Sequence, residues 1–184
     1  MNQAHFFFAA TLPPEAREYI HNLKEEVEDR FLFKRWVHPQ DYHITLAFLG
    51  NAPEPMREQA VSFVNEALRD QKSFPLRLAQ LGTFGKKEDP RIFWCGLEQN
   101  PELAAIQKQV YHSCIQAGFT LEKRPFKPHI TMARKYAGSQ PFESDKLEQI
   151  SIDGTEYTID TVTLYQTHSN STPKYKAVHT IILQ

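Results

Sequence analysis

A histidine and a threonine stand two residues apart twice in this chain, at His43-Ile44-Thr45-Leu46 and at His129-Ile130-Thr131-Met132. An imidazole has an ordinary pKa of about 6.5, so near neutrality it can either take a proton or give one. Two imidazoles on opposite sides of one phosphorus could deprotonate a nucleophile and protonate a leaving oxygen without help from a metal. A hydroxyl beside each could hold the non-bridging oxygens and stabilise their charge in the transition state. The substrate best matched to such a set is a strained cyclic phosphate, whose leaving oxygen stays tethered.

For this chemistry the two segments must be strands that face each other. Side chains on a strand alternate faces. His43, Thr45 and Ala47 then share one face, with Ile44, Leu46 and Phe48 on the other. His129, Thr131 and Ala133 repeat the pattern against Ile130 and Met132. Arg134, set among Lys123, Arg124, Lys127 and Lys135, is a candidate phosphate contact. Its parity is that of Ile130 and Met132, so it reaches the groove only if the strand ends or bulges there. Tyr42, Phe84 and Phe126 are candidates to stack on a base. Trp36 and Trp94 are assigned to the core.

The two segments lie 86 residues apart (43 to 129), and at that offset more of the chain falls into register. Phe8-Ala9-Ala10 lies over Trp94-Cys95-Gly96, Ile20 over Ile106 and Pro39 over Pro125. Each half reads as an apolar strand, an amphipathic helix, a proline turn and a His-x-Thr strand. This predicts one bilobal domain over residues 1–184, built from a diverged internal duplication. Strands are expected at 5–12 and 91–97, helices at 15–29, 55–70 and 101–116, and a strand at 74–81 followed by a polar loop over 82–90. The tail predicts a hairpin, 157–167 with 175–183.

Composition bounds the function further. A net charge of −1 gives no general attraction to long nucleic acid. Cys95 and Cys114 have no close Cys or His spacing, which argues against a disulfide framework or a structural zinc. No cofactor and no metal site are expected, because His-x-Thr offers no second ligand. No run approaches the length of a membrane span, and the expected compartment is the reduced cytoplasm. His5, His21, His38, His112 and His179 are read as structural or solvent-facing, and His168 is left open.

The paired His-x-Thr-x segments resemble those of the 2H phosphoesterases, and most closely the RNA 2′,3′-cyclic phosphodiesterase branch historically called 2′-5′ RNA ligase. The similarity extends over nearly the whole chain, from the Phe-Phe-Ala-Ala strand through Leu-Ala-Phe-Leu-Gly and Pro-His-Ile-Thr-Met-Ala-Arg to Val162-Thr163-Leu164-Tyr165. It implies an α+β fold with a pseudo-two-fold, in which two antiparallel sheets line a central groove and helices pack outside. It also implies His43 as proton donor to the departing 3′ oxygen, His129 as the base that activates water, and Thr45 and Thr131 as phosphate ligands. Residue spacing alone leaves open which histidine is which. The implied reaction is metal-independent hydrolysis of RNA 2′,3′-cyclic phosphodiester ends to 2′-phosphomonoesters. Joining ends through a 2′-5′ bond is the same reaction reversed. A non-catalytic RNA-end or nucleotide binder, and a phosphodiesterase for small cyclic nucleotides or linear 2′-5′ linkages, are the alternatives. Where family members carry a serine and a glycine-rich turn in the tail, this chain has Thr167-His168-Ser169-Asn170.

Overall fold

The computed structural model describes residues 3–184. Four strands make one half of the sheet: β1 (Phe6–Thr11), β3 (His43–Gly50), β8 (Thr161–Thr167) and β9 (Tyr175–Ile182). The other half holds β4 (Phe74–Lys86), β5 (Asp89–Leu97), β6 (His129–Tyr136) and β7 (Glu156–Ile159), with β2 (Phe33–Trp36) also on β6. The order is β7-β4-β5-β6-β3-β1-β8-β9, and every pairing is antiparallel. The halves meet where β3 and β6 pair at Ile44 and Ile130 alone. The two halves of the sheet therefore join at the centre of the two His-x-Thr segments.

Three helices cover one face. Helix α1 (Pro14–Val27) opens on a proline with Glu15 in its first turn, and it buries Ala16, Ile20, Leu23 and Val27 at helical spacing. In α3 (Pro101–Gln116), the Asn100 side chain accepts from the Leu103 backbone N–H at 2.9 Å, capping the start, and Leu103, Ile106, Val110 and Cys114 are buried. Between them in sequence, α2 (Glu54–Ala67) buries Ala60 and Val64.

Two of the helices, α1 and α3, cross over. Although α3 follows β5, its Gln107 amide donates to the Leu46 carbonyl of β3 at 3.3 Å. Although α1 follows β1, its Tyr19 hydroxyl accepts from Asp153 N, three residues before β7. Helices α1 and α3 thus each reach across to the half of the sheet opposite their preceding strand. Helix α2 stays with its own half, its Asn65 amide 3.1 Å from His179 of β9 and its Arg57 over the Phe6 ring of β1.

The structure departs from the sequence expectations at three places. Residues 82–90 are no loop: β4 runs on to Lys86 and β5 begins at Asp89, so the segment is a tight ribbon. Its glycines are packing devices. A Cβ on Gly82 would come within 2.3 Å of the Trp94 indole, which lies over the bare backbone, and Gly85 takes a φ of +111° at a register shift. The expected strand 157–167 is broken at Asp160 into β7, at one edge of the sheet, and β8, between β1 and β9 in the opposite half. Finally, Phe8 pairs with Ala47 as Phe93 pairs with Ala133, so Phe8 corresponds to Phe93 and not to Trp94. Between β1 and β5 the offset is 85, one less than between the His-x-Thr strands.

Candidate active site

Both motif strands bulge at matching positions. Pairing of β3 with β1 skips Leu46, and pairing of β6 with β5 skips Met132. Two consecutive residues are therefore buried in each, Leu46-Ala47 and Met132-Ala133. Beyond the bulge the parity inverts. Phe48 and Arg134, which simple alternation assigns to the core, emerge exposed instead. The bulge is what brings Arg134 out, and its positive charge acts on both His43 and His129.

The imidazoles are held alike at one nitrogen. His43 Nδ1 lies 2.7 Å from the Asp41 carbonyl oxygen, and His129 Nδ1 lies 2.7 Å from the Lys127 carbonyl oxygen. A carbonyl can only accept, so each Nδ1 carries hydrogen and donates, and each Nε2 is left to exchange the working proton. Thr45 Oγ1 sits 3.0 Å from His43 Nε2. Burial lowers the pKa of both rings. For His43 it falls to about 4, with the Asp41 carbonyl and charge acting the other way and His129 and Arg134 adding to the decrease. For His129 the direction is the same, with the Lys127 hydrogen bond opposing and Arg134 adding. Charge on either ring is thus disfavoured until an anion arrives to compensate.

The surroundings differ. His43 lies in an apolar cluster of Phe7, Ala9 and Tyr165 with Tyr175, separate from the main core. The Phe7 ring is 4.8 Å away, Tyr175 meets it edge-on at 5.2 Å, and Tyr165 stands at 6.1 Å. Among the described residues His129 has one aromatic neighbour, Phe84, edge-on at 4.8 Å, with Trp94 tilted against Phe84 at 5.3 Å. Trp94 pairs with Thr131 and is half-buried on that strand face, so it belongs to the groove and not, as its apolar context suggests, to the core. Trp36 is half-buried, packed edge-on against Phe33 and Phe93. Tyr42 is fully buried and removed from any stacking role, whereas Phe126 is half-buried against the core.

Asp41 gave no signal in the sequence. Its side chain is only 5 % exposed, and its two oxygens accept from the backbone N–H groups of Lys174 and Tyr175 at 2.9 and 3.1 Å. The same residue therefore fixes His43 by its carbonyl and the start of β9 by its carboxylate. The matching residue in the second motif is Lys127, which offers no such clamp. His168 lies outside the groove, lining an open concavity of about 980 Å³ with His5 and residues 166–171. Among the described residues no three His, Cys, Asp or Glu side chains are grouped as a metal site requires, and no helix is long and apolar enough to cross a membrane.

A family model for the 2′-5′ RNA ligase superfamily matches residues 10–171 of this chain. The chain belongs to that superfamily. Among curated members it is 38 % identical over 178 residues to an RNA 2′,3′-cyclic phosphodiesterase of Geobacillus stearothermophilus, covering 97 % of this chain and 57 % of the relative. To the RNA 2′,3′-cyclic phosphodiesterase of Bacillus subtilis it is 31 % identical, covering 95 % of this chain and 93 % of the relative. The chain thus spans little more than half of the first relative and nearly all of the second. Among solved superfamily structures, E. coli LigT complexed with 3′-AMP superposes with a TM-score of 0.79 at 26 % identity, covering 98 % of both chains. The α+β fold with a large antiparallel sheet is shared with these phosphoesterases.

Proposed function

We propose that this chain hydrolyses 2′,3′-cyclic phosphate ends of RNA to 2′-phosphomonoesters, with His129 as base, His43 as acid and no metal. The observation that carries this reading is the single pairing of Ile44 with Ile130, which sets the two His-x-Thr segments side by side in antiparallel sense. In this reading His129 Nε2 removes a proton from water, the water oxygen attacks phosphorus, and the bond to the 3′ oxygen breaks. His43 Nε2 hands its proton to that oxygen. Thr45, Thr131 and Arg134 hold the phosphate oxygens. The bound phosphodiester's own negative charge restores a proton to the ring pair, offsetting the burial that otherwise keeps both neutral.

The names of the curated relatives support the substrate class, and the complex of E. coli LigT with 3′-AMP supports a nucleotide site on this fold. Small 2′,3′-cyclic nucleotides would fit the same groove. The chain is read as one bilobal domain of duplicated origin, and its two free, buried cysteines suit a reducing cytoplasm. The test is incubation with an RNA bearing a 2′,3′-cyclic end in excess chelator, followed by analysis of the phosphate position. A 2′-phosphate is expected. A 3′-phosphate, or full activity after His43→Ala or His129→Ala, would overturn the assignment. Binding without turnover would make the chain an RNA-end binder.

A further inference from the structure

Beside the histidine pair is a second, smaller recess of about 130 Å³, whose lining includes Arg35, His38, Asp41, Arg134, Lys174 and Tyr175. Four features make it anion-seeking. Arg35, Arg134 and Lys174 come from three separate strands or strand approaches, β2, β6 and the entry to β9, so the fold and not local sequence gathers them. Among the described residues none of the three is paired with a carboxylate, while other basic residues form six ion pairs elsewhere. The one acid in the lining, Asp41, has both oxygens occupied by the backbone N–H groups of Lys174 and Tyr175. His38 accepts the Gln40 backbone N–H on Nδ1 at 3.2 Å, so its neutral ring carries hydrogen on Nε2 and adds a donor. Arg35, Arg134 and Lys174 outnumber the single Asp41 carboxylate, and a phosphate relieves the repulsion among the excess positive charge while accepting several hydrogen bonds.

The recess is one side chain away from the reaction. Tyr175 lines it and also stands edge-on to His43 at 5.2 Å, and Arg134 both lines it and bears on the two imidazoles. We infer that it binds the phosphate on the 5′ side of the terminal nucleotide, so that the site takes a strand end in preference to a lone nucleoside cyclic phosphate. This deepens the proposed hydrolysis and rests on it. A chain with net charge −1 has no general field for RNA, so a local three-cation recess is how it would recognise the strand.

The test compares three substrates on wild type and on the double variant Arg35→Gln/Lys174→Gln. They are a nucleoside 2′,3′-cyclic phosphate, the same compound with a 5′-phosphate, and a short single-stranded RNA with a 2′,3′-cyclic end. For the double variant, kcat/KM on the RNA should fall at least tenfold. On the nucleoside cyclic phosphate it should stay within twofold, and the 5′-phosphorylated compound should lie between. The salt dependence of log kcat/KM on RNA should become shallower by about 0.7 for the one phosphate released. Equal losses on all three substrates, or no loss on RNA, would overturn the inference. Should wild type turn over none of them, the hydrolase reading fails. The recess is then judged by binding of an RNA ending in a 2′-phosphate: a tenfold weaker Kd in the double variant upholds it, and an unchanged Kd refutes it.

Discussion

The two motif histidines share their sequence neighbours and their Nδ1 anchors, yet they stand in different rooms. His43 is walled by Phe7, Tyr165 and Tyr175, and its anchoring residue Asp41 is itself tied to β9. Among the described residues His129 meets one aromatic ring, that of Phe84, with the basic Lys127 in the place of Asp41. The lesson is that a repeated motif supplies matched reagents, and the structure around each decides its task. Burial and Arg134 lower both rings; at His43 the Asp41 charge works against that decrease, whereas at His129 only the Lys127 carbonyl hydrogen bond does, so the two sides differ in having or lacking a carboxylate.

Removing either reagent should have the largest effect. His43→Ala and His129→Ala should each lower kcat by about 10²–10⁴-fold, measured on a 2′,3′-cyclic nucleotide, with unchanged circular dichroism to show that the fold survives. If one variant kept near-full activity, the pair would not be working as a pair. Thr45→Val and Thr131→Val should come next, at roughly 10²-fold in kcat with smaller changes in KM. A loss confined to KM would make them mere ground-state contacts.

Asp41→Asn tests the asymmetry itself. It keeps the shape but turns one acceptor into a donor facing a backbone N–H, costing about 1–3 kcal/mol of stability by thermal melting. It should also move the activity profile to lower pH, because a negative charge that favours protonated His43 is gone. Lys127→Gln, its counterpart, should leave melting unchanged; a matching destabilisation would erase the distinction between the two sides.

The smallest effect is one of pH on stability. A ring whose folded pKa lies below its unfolded value binds its proton more readily when unfolded. The stability it contributes is therefore whole above about 6.5 and is lost as pH falls towards about 4, the value for His43. The melting temperature should decline across that window, and His43→Phe should flatten part of the slope. A slope unaltered in His43→Phe would mean that the ring is not buried as described.

Much of this was legible in the sequence. The period of Ala16, Ile20, Leu23 and Val27 marked α1, and Pro101 to Gln116 marked α3 to the residue. Alternation put His43 with Thr45 and His129 with Thr131. Alternation also fails where the chain bulges: nothing in Leu46-Ala47 or Met132-Ala133 announces an extra residue, so parity puts Phe48 on the wrong face and leaves Arg134 a groove candidate only on condition of a bulge, which the strand has. Gly82 and Gly85 read as a loop because glycine signals turns, while here one of them makes room for an indole from the next strand. Asp41 was silent because its partners, Lys174 and Tyr175, lie more than 130 residues away.

The most direct measurement is the pH dependence of kcat/KM for wild type, His43→Ala and His129→Ala on one 2′,3′-cyclic nucleotide. Wild type should give a bell with its maximum on the acid side of 6.5, since both rings are lowered by burial. His129→Ala should lose the acid limb, where a base becomes protonated, and His43→Ala should lose the alkaline limb, where an acid becomes deprotonated. Loss of the same limb in both variants, or a bell that survives in either, would contradict the division of labour between the two imidazoles.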